Sequence, residues 1–202
     1  MARKSKKISV TRRLSNALFT VAAIALASGL GIIILTFFPL GTEEVKYVIR
    51  NTNREITPID TTFGIVIPKL GANAHVIANV DPYDSAAYQY ALTKGVAHAR
   101  GTSVPGTIGN IFLFAHSSEN FYEALTYNSV FYLLPKLAKG DVILLYYKGV
   151  KFTYVVTDKK LVDPKDVSYL TSKGEHQTLT LMTCWPPGTN IQRLLILADL
   201  KK

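Results

Sequence analysis

The sequence predicts a mostly-β domain, a barrel or sandwich of about 140 residues, carried behind a single membrane-spanning helix. Three observations predict it. Residues 14–40 carry no charged side chain, the formal charge of +9 is concentrated ahead of that run, and from Phe63 onward the chain is a series of short apolar runs broken by turns. With 48% hydrophobic residues, 18% charged residues and one cysteine in 202, the composition excludes a disordered chain, an intramolecular disulfide framework and a cysteine-rich zinc module.

Residues 1–13 hold Arg3, Lys4, Lys6, Lys7, Arg12 and Arg13 and no acid. Of the 23 basic residues this leaves 17 against 14 acidic ones, a net +3 for everything after residue 40. Leu14–Leu40 is apolar and, at about 1.5 Å per residue, longer than a hydrocarbon core of roughly 30 Å. Ala25 and Ala27 make an A-x-A-like cleavage site, but the apolar run continues through Ile32–Leu35, Phe37 and Phe38, which favours a retained anchor over a cleaved signal peptide. The basic cluster on one flank and Glu43 and Glu44 on the other predict a cytoplasmic N-terminus and a C-terminal part outside the plasma membrane, in a single pass. The same cluster reads as a topology and anionic-lipid signal, and the +3 remainder makes no case for nucleic acid.

The organisation that follows is a basic cytoplasmic tail (1–13), a transmembrane helix (14–40), a membrane-proximal linker (41–62) and a β domain (63–202). Strands are expected at Phe63–Lys69, Ile108–Ala115, Val142–Tyr147, Phe152–Thr157, Leu179–Thr183 and Arg193–Ala198, with a hairpin around Lys148–Lys151 and short helices at Asp84–Leu92 and Tyr122–Leu137.

Cys184 ends the apolar run LTLMT and is followed by a Trp-Pro-Pro-Gly turn that must leave the sheet, which sets its sulfur at a sheet rim. A buried structural thiol is the competing reading, weighed about evenly on spacing alone. A thiol nucleophile needs a base or cation beside it. Of the four histidines, His116 ends the strand IFLFA and is able to face a rim cysteine on a neighbouring strand. His98, His75 and His176 sit in turn-rich or polar segments and read as surface or locally bonded residues. Antiparallel pairing of LTLMT with RLLILA would return Arg193 beside the sulfur, where a guanidinium stabilises thiolate and oxyanion alike. A solvated strand-end charge is the commoner fate of an arginine.

The ordered segments FGIVIPKLG, LTKGVAHARGTSVPGTIGNIFLFAH, KGDVILLYY and LTLMTCWPPG with Arg193 downstream resemble a sortase. The TLMTC segment matches that family's TLxTC signature, and Pro105–His116 matches its histidine strand. The resemblance spans Phe63 to the C-terminus and implies an eight-stranded β-barrel. It implies Cys184 as nucleophile, His116 as general acid/base and Arg193 as the oxyanion and positioning group, with His98 and Thr183 in support. It also implies a membrane-anchored cysteine transpeptidase that cleaves an LPxTG-like C-terminal sorting signal of secreted proteins through an acyl-thioester, then transfers it to an amine of a peptidoglycan precursor or a pilin. No cofactor is implied. Calcium would need an acidic cluster, for which Glu119 and Glu123 are the nearest material, and solvated loop acids are the simpler reading of both. The Trp185-Pro186-Pro187 continuation departs from the common pattern of the well-known classes and leaves the class open, between a class D- or E-like member and a type from uncultured bacteria. An L,D-transpeptidase would cluster its histidine, cysteine and arginine tightly, unlike this chain. The contrasting expectation from another functional class is an inactive barrel of the same family serving as a surface binding module.

Overall fold

In a strand, successive side chains face opposite ways, so one row of alternate residues can fill a barrel while the other meets solvent or a covering layer. The computed structural model describes residues 16, 18–34, 56–117, 130–171 and 175–201, in two compact units, Met1–Thr42 and Glu43–Lys202. The second unit is a closed eight-stranded barrel: β1 (Phe63–Ile67), β2 (Ala72–Val80), β3 (Val96–Ala99), β4 (Gly109–Phe114), β5 (Val142–Tyr147), β6 (Val150–Val162), β7 (Gln177–Trp185) and β8 (Gln192–Leu200). The order around the barrel is β1-β2-β3-β4-β7-β8-β6-β5, and β5 pairs back onto β1 to abolish the open edge. Its interior is filled by branched residues, with Ile65, Ile67, Ile111, Leu113, Ile143, Leu145, Leu179, Leu181 and Ile196 all fully buried. Tyr154 shares this core; its hydroxyl has no hydrogen-bond partner among the described residues, and burial pushes its pKa up to about 12.

Six of the eight adjacent pairs are antiparallel, while β2–β3 and β4–β7 are parallel. The first parallel pair is bridged by a crossover containing helix α2 (Ser85–Leu92), capped by Asp84, whose carboxylate accepts from the Ala86 and Ala87 amides. The expected hairpin is present: Lys148 and Gly149, at φ 49° and 80°, join β5 to β6 with the two positive φ values of a type I′ turn.

Six strands lie where apolar runs predict them, and two do not. β2 (ANAHVIANV) is mixed in polarity and interrupted by a bulge at Asn79, whose φ is 60°, and β3 (VAHA) is only four residues long. β6 runs beyond Thr157 because its polar TDKK stretch still pairs with β8 through Lys160↔Leu195 and its neighbours. The segment ahead of β1 is stitched to the barrel. The amide of Ile59 donates to Asn73 (3.0 Å), Asn73 donates to the Thr57 carbonyl (2.8 Å), and Asp60 pairs with His75 (3.0 Å). The linker expected over 41–62 is therefore, in its described part, bound to β2. His75, expected in a loop, is a solvent-facing residue of that strand.

In the first unit, residues 18–34 form a helix, α1, and its apolar side chains, among them Leu18, Phe19, Ile24, Leu26 and Ile33, are exposed. Among the described residues no helix is long and apolar enough to cross a membrane. The basic tail, the two ends of the 14–40 run, the linker up to residue 55 and residues 118–129 lie outside the described residues. The last of these contain the first half of the expected Tyr122–Leu137 helix, together with Glu119 and Glu123. The described remainder of that helix is turn, with a 3-10 turn at Leu134–Lys136.

Candidate active site

The site is built on three adjacent strands. Parallel pairing of β4 with β7 sets Phe114 opposite Met182, and the ladder runs one residue further as the Ala115 amide donates to the Met182 carbonyl (3.2 Å). The same register places His116 level with Cys184. On the other side of β7 the antiparallel register pairs Cys184 directly with Arg193. An imidazole, a thiol and a guanidinium thus stand in one row across three neighbouring strands, at the roughly 4.8 Å spacing that a sheet imposes. Thr183, on the alternate face, donates its hydroxyl to the Ala115 carbonyl (2.9 Å) and fastens β4 to β7 one step below the row.

The face carrying this row points away from the barrel interior. Along β4 it presents Asn110, Phe112, Phe114 and His116; along β7, Thr178, Thr180, Met182 and Cys184; along β8, Arg193 and Leu195. The upper part of this surface is the floor of a cleft of about 310 Å³. One wall comes from α2 and the turn before it, with Tyr83, Tyr88 and Leu92, and the other from the segment after β6 and helix α3 (Ser168–Thr171), with Val167, Tyr169 and Leu170. Cys184 is half-buried there, the environment in which a thiol is reachable without being fully solvated. The Arg193 guanidinium donates to the carbonyls of Asn190 and Gln192 (3.3 Å each), and no carboxylate among the described residues pairs with it, so its charge is left available to the cleft. Asp166, on the wall, accepts from the Ser168 hydroxyl (2.6 Å) and amide (3.0 Å), which hold its carboxyl below the ordinary range and keep it ionised.

The structure does not bring His98 to the cleft. It is a buried residue of β3, with Nδ1 accepting from the Asn79 amide (3.2 Å) and Nε2 donating to the Ser103 carbonyl (2.9 Å). Burial lowers its pKa, and the donor and acceptor on its two nitrogens specify the neutral Nε2-H tautomer. Its place is structural: it ties the β2 bulge to the turn after β3. His176 lies just before β7 and is exposed; its carbonyl accepts from the Gly109 amide (3.2 Å). Among the described residues no group of three His, Cys, Asp or Glu side chains is placed to hold a metal ion.

Sequence reasoning passed over Asn110. It is buried, its Nδ2 donates to the Tyr169 carbonyl (2.9 Å), and its Oδ1 accepts from the hydroxyls of Thr180 (3.0 Å) and Thr178 (3.2 Å). An amide inside the apolar run IGNIFLFA was the available signal, because a buried polar side chain persists only where it is bonded. Gly109, at φ 118°, precedes it; a Cβ there would fall on the Ser103 hydroxyl, so the glycine lets the turn close onto β4.

A closed barrel that sets a thiol between an imidazole and a guanidinium at the floor of a cleft defines a class of cysteine-dependent acyl-transfer scaffolds. The family model for the sortase domain matches residues 65–201, and the chain belongs to the sortase family, whose members are cysteine transpeptidases. It is 32% identical over 120 residues to Sortase D of Bacillus subtilis, a match covering 59% of this chain and 52% of that protein. The chain therefore spans about half the length of this curated relative. Among solved structures it is similar to sortase C-1 of Actinomyces oris, with TM-score 0.59, 26% identity, and coverage of 80% of this chain and 97% of that one. It is likewise similar to a lid mutant of sortase A from Corynebacterium diphtheriae, with TM-score 0.59, 25% identity, and coverage of 71% of each chain.

Proposed function

We propose that this chain is a membrane-anchored transpeptidase that cleaves an LPxTG-like C-terminal sorting signal and passes the acyl group to an amine. The observation that carries the reading is the row His116–Cys184–Arg193, level across β4, β7 and β8 at the floor of one cleft. In this reading the Cys184 thiolate attacks the threonyl carbonyl and Arg193 holds the resulting oxyanion. His116, as imidazolium, gives its proton to the departing glycyl amine, leaving a thioester on Sγ. An incoming amine then attacks the thioester and loses a proton to His116, and the C–S bond breaks to release the acyl group on the amine and restore the Cys184 thiolate beside the imidazolium. Thiol, imidazole and guanidinium supply nucleophile, acid and anion stabilisation between them, so the reading needs no cofactor.

The substrates in this reading are secreted proteins bearing sorting signals, and the acceptor is a peptidoglycan-precursor or pilin amine. Extended peptide suits a cleft floored by Phe112, Phe114, Met182 and Leu195. The identity to Sortase D of Bacillus subtilis favours a class D-like member. Anchoring by 14–40, with the N-terminus in the cytoplasm, is supported by exposed apolar side chains around α1. Its polar side chains also bond back to their own helix, Thr20 to the Asn16 carbonyl (2.8 Å) and Ser28 to the Ala25 carbonyl (3.0 Å), as a lipid surrounding requires. The test is to incubate the chain with a peptide library and look by mass spectrometry for an acyl adduct. An adduct on Cys184 that is released by added amine is the expected result; turnover by the Cys184→Ala variant would overturn the assignment.

A further inference from the structure

We propose that Asn110 is a positioning residue that latches the α3 wall over the cleft and so sets how tightly the acyl substrate is gripped; the inference rests on the transpeptidase reading. Asn110 lies on the outward row of β4, in line with Phe112, Phe114 and His116, but below the open floor and covered by α3. Its amide is oriented without ambiguity. A backbone carbonyl can only accept, so the group facing Tyr169 is the NH2, and the oxygen takes the two threonine hydroxyls.

The bonded partner gives this buried amide its consequence. The last four carbonyls of any helix point out of its end, which in a four-residue helix includes that of Tyr169, and Asn110 supplies this one with a donor. Tyr169 and its neighbour Leu170 line the cleft opposite α2. The chain from Thr178 and Thr180 through Asn110 to Tyr169 therefore connects the strand that carries Cys184 to the wall facing it. Both threonines hold the amide in the rotamer that reaches Tyr169, and replacing either one relaxes the latch without touching the wall. Substrate bound between floor and wall is held by the latched population, so losing the latch raises KM in proportion and leaves the chemical step at Cys184 unaltered.

The test uses the full chain in detergent micelles, with Asn110→Asp and Thr180→Val. Aspartate keeps the shape and both acceptor contacts but turns an oxygen toward the Tyr169 carbonyl. Three quantities are read: hydrogen exchange over residues 167–171, the kinetics of a fluorogenic Leu-Pro-Glu-Thr-Gly peptide with triglycine as acceptor, and the pH profile of Cys184 alkylation by iodoacetamide. The expected result for Asn110→Asp is exchange and KM each raised about tenfold, kcat within about twofold, and an unchanged alkylation profile. Thr180→Val moves the same quantities in the same direction by about threefold, and carries the test if the aspartate variant does not fold. Unchanged exchange over 167–171 in the folded variants would overturn the proposal. A fall in kcat with a shifted alkylation profile would also overturn it, by showing that Asn110 acts on the Cys184–His116 pair. If the unmodified chain cleaves no peptide and its alkylation is indifferent to His116→Ala, the transpeptidase reading fails, and with it the substrate-gripping role, while the exchange data show separately whether the latch itself exists.

Discussion

The barrel has two parallel joints, β2–β3 and β4–β7, and each holds a histidine, yet the two residues meet opposite surroundings. At β2–β3 the bulge at Asn79 and the turn through Ser103 close over His98, satisfy both ring nitrogens and leave it neutral. At β4–β7 the ladder runs one residue beyond Phe114, through the Ala115 amide, and His116 follows it, level in register with Cys184 and Arg193. A parallel joint needs a crossover, so both of its strand ends point the same way and both face the same connecting segments. Where those segments fold back as a tight turn, the end is sealed. Where they stand off as walls, the end becomes a cleft.

This contrast predicts that substitutions at the two joints separate activity from stability. His116→Ala is expected to lower kcat/KM for peptide cleavage by about 10²- to 10⁴-fold, the usual range for a general acid/base, with the thermal midpoint nearly unchanged. His98→Ala should do the reverse. It orphans the Asn79 amide and the Ser103 carbonyl, costing roughly 2–3 kcal/mol of unfolding free energy, while activity per folded molecule stays within a few-fold. Circular dichroism melts beside peptide kinetics check both, and a large kcat loss in well-folded His98→Ala would erase the distinction.

Under the proposed transpeptidase function, Arg193 sharpens the contrast between the joints. Arg193→Ala should cost about 10²-fold in kcat, as loss of one oxyanion donor does elsewhere. Arg193→Lys should recover little of it, since a single ammonium lacks the planar fork that reaches thiolate and oxyanion together. Full rescue by lysine would reduce the role of Arg193 to charge alone.

The two joints also differ in how far the sequence betrays them. β4, β7 and β8 are apolar runs of ordinary strand length, and the TLMTC segment ends where a Pro-Pro pair must break the ladder, so the strand-end placement of Cys184, His116 and Arg193 was readable before any coordinates. β2 and β3 were not. Nine mixed residues carrying a bulge lose the two-residue period, and four residues of VAHA are too few to show one. His98 read from its turn-rich segment as a locally bonded residue, and its contacts with Asn79, Thr102 and Ser103 are of that kind; only the family resemblance gave it a supporting role. Asn110 was hidden for the opposite reason: its partners, Tyr169, Thr178 and Thr180, lie some 60 to 70 residues away in the chain, and local pattern has no reach over that distance.

Acid separates the joints a second way. Burial lowers the folded-state pKa of His98 below its unfolded value, so the unfolded chain takes up a proton first as pH falls. The stability linked to His98 is complete above the unfolded pKa, near 6.5, and is lost as pH drops from there through the folded value. Denaturant midpoints measured between pH 7.5 and 5 should therefore fall, and His98→Gln, which cannot titrate, should flatten that slope whatever its own stability. An unchanged slope in the variant would mean that other groups govern the acid side.

The smallest effect is expected at the staple beneath the active row. Thr183→Val keeps the shape and removes the 2.9 Å hydrogen bond to the Ala115 carbonyl, a loss of about 1 kcal/mol, or a few degrees in thermal midpoint for a domain of this size. Thr183 alternates with Cys184 along β7 and its hydroxyl is engaged by the Ala115 carbonyl, so kcat should move by less than about threefold. A larger fall in kcat, with stability lowered only by that amount, would show that the row requires the β4–β7 joint to be tighter than ladder hydrogen bonds alone make it. The open joint would then differ from the sealed one in rigidity as well as in exposure.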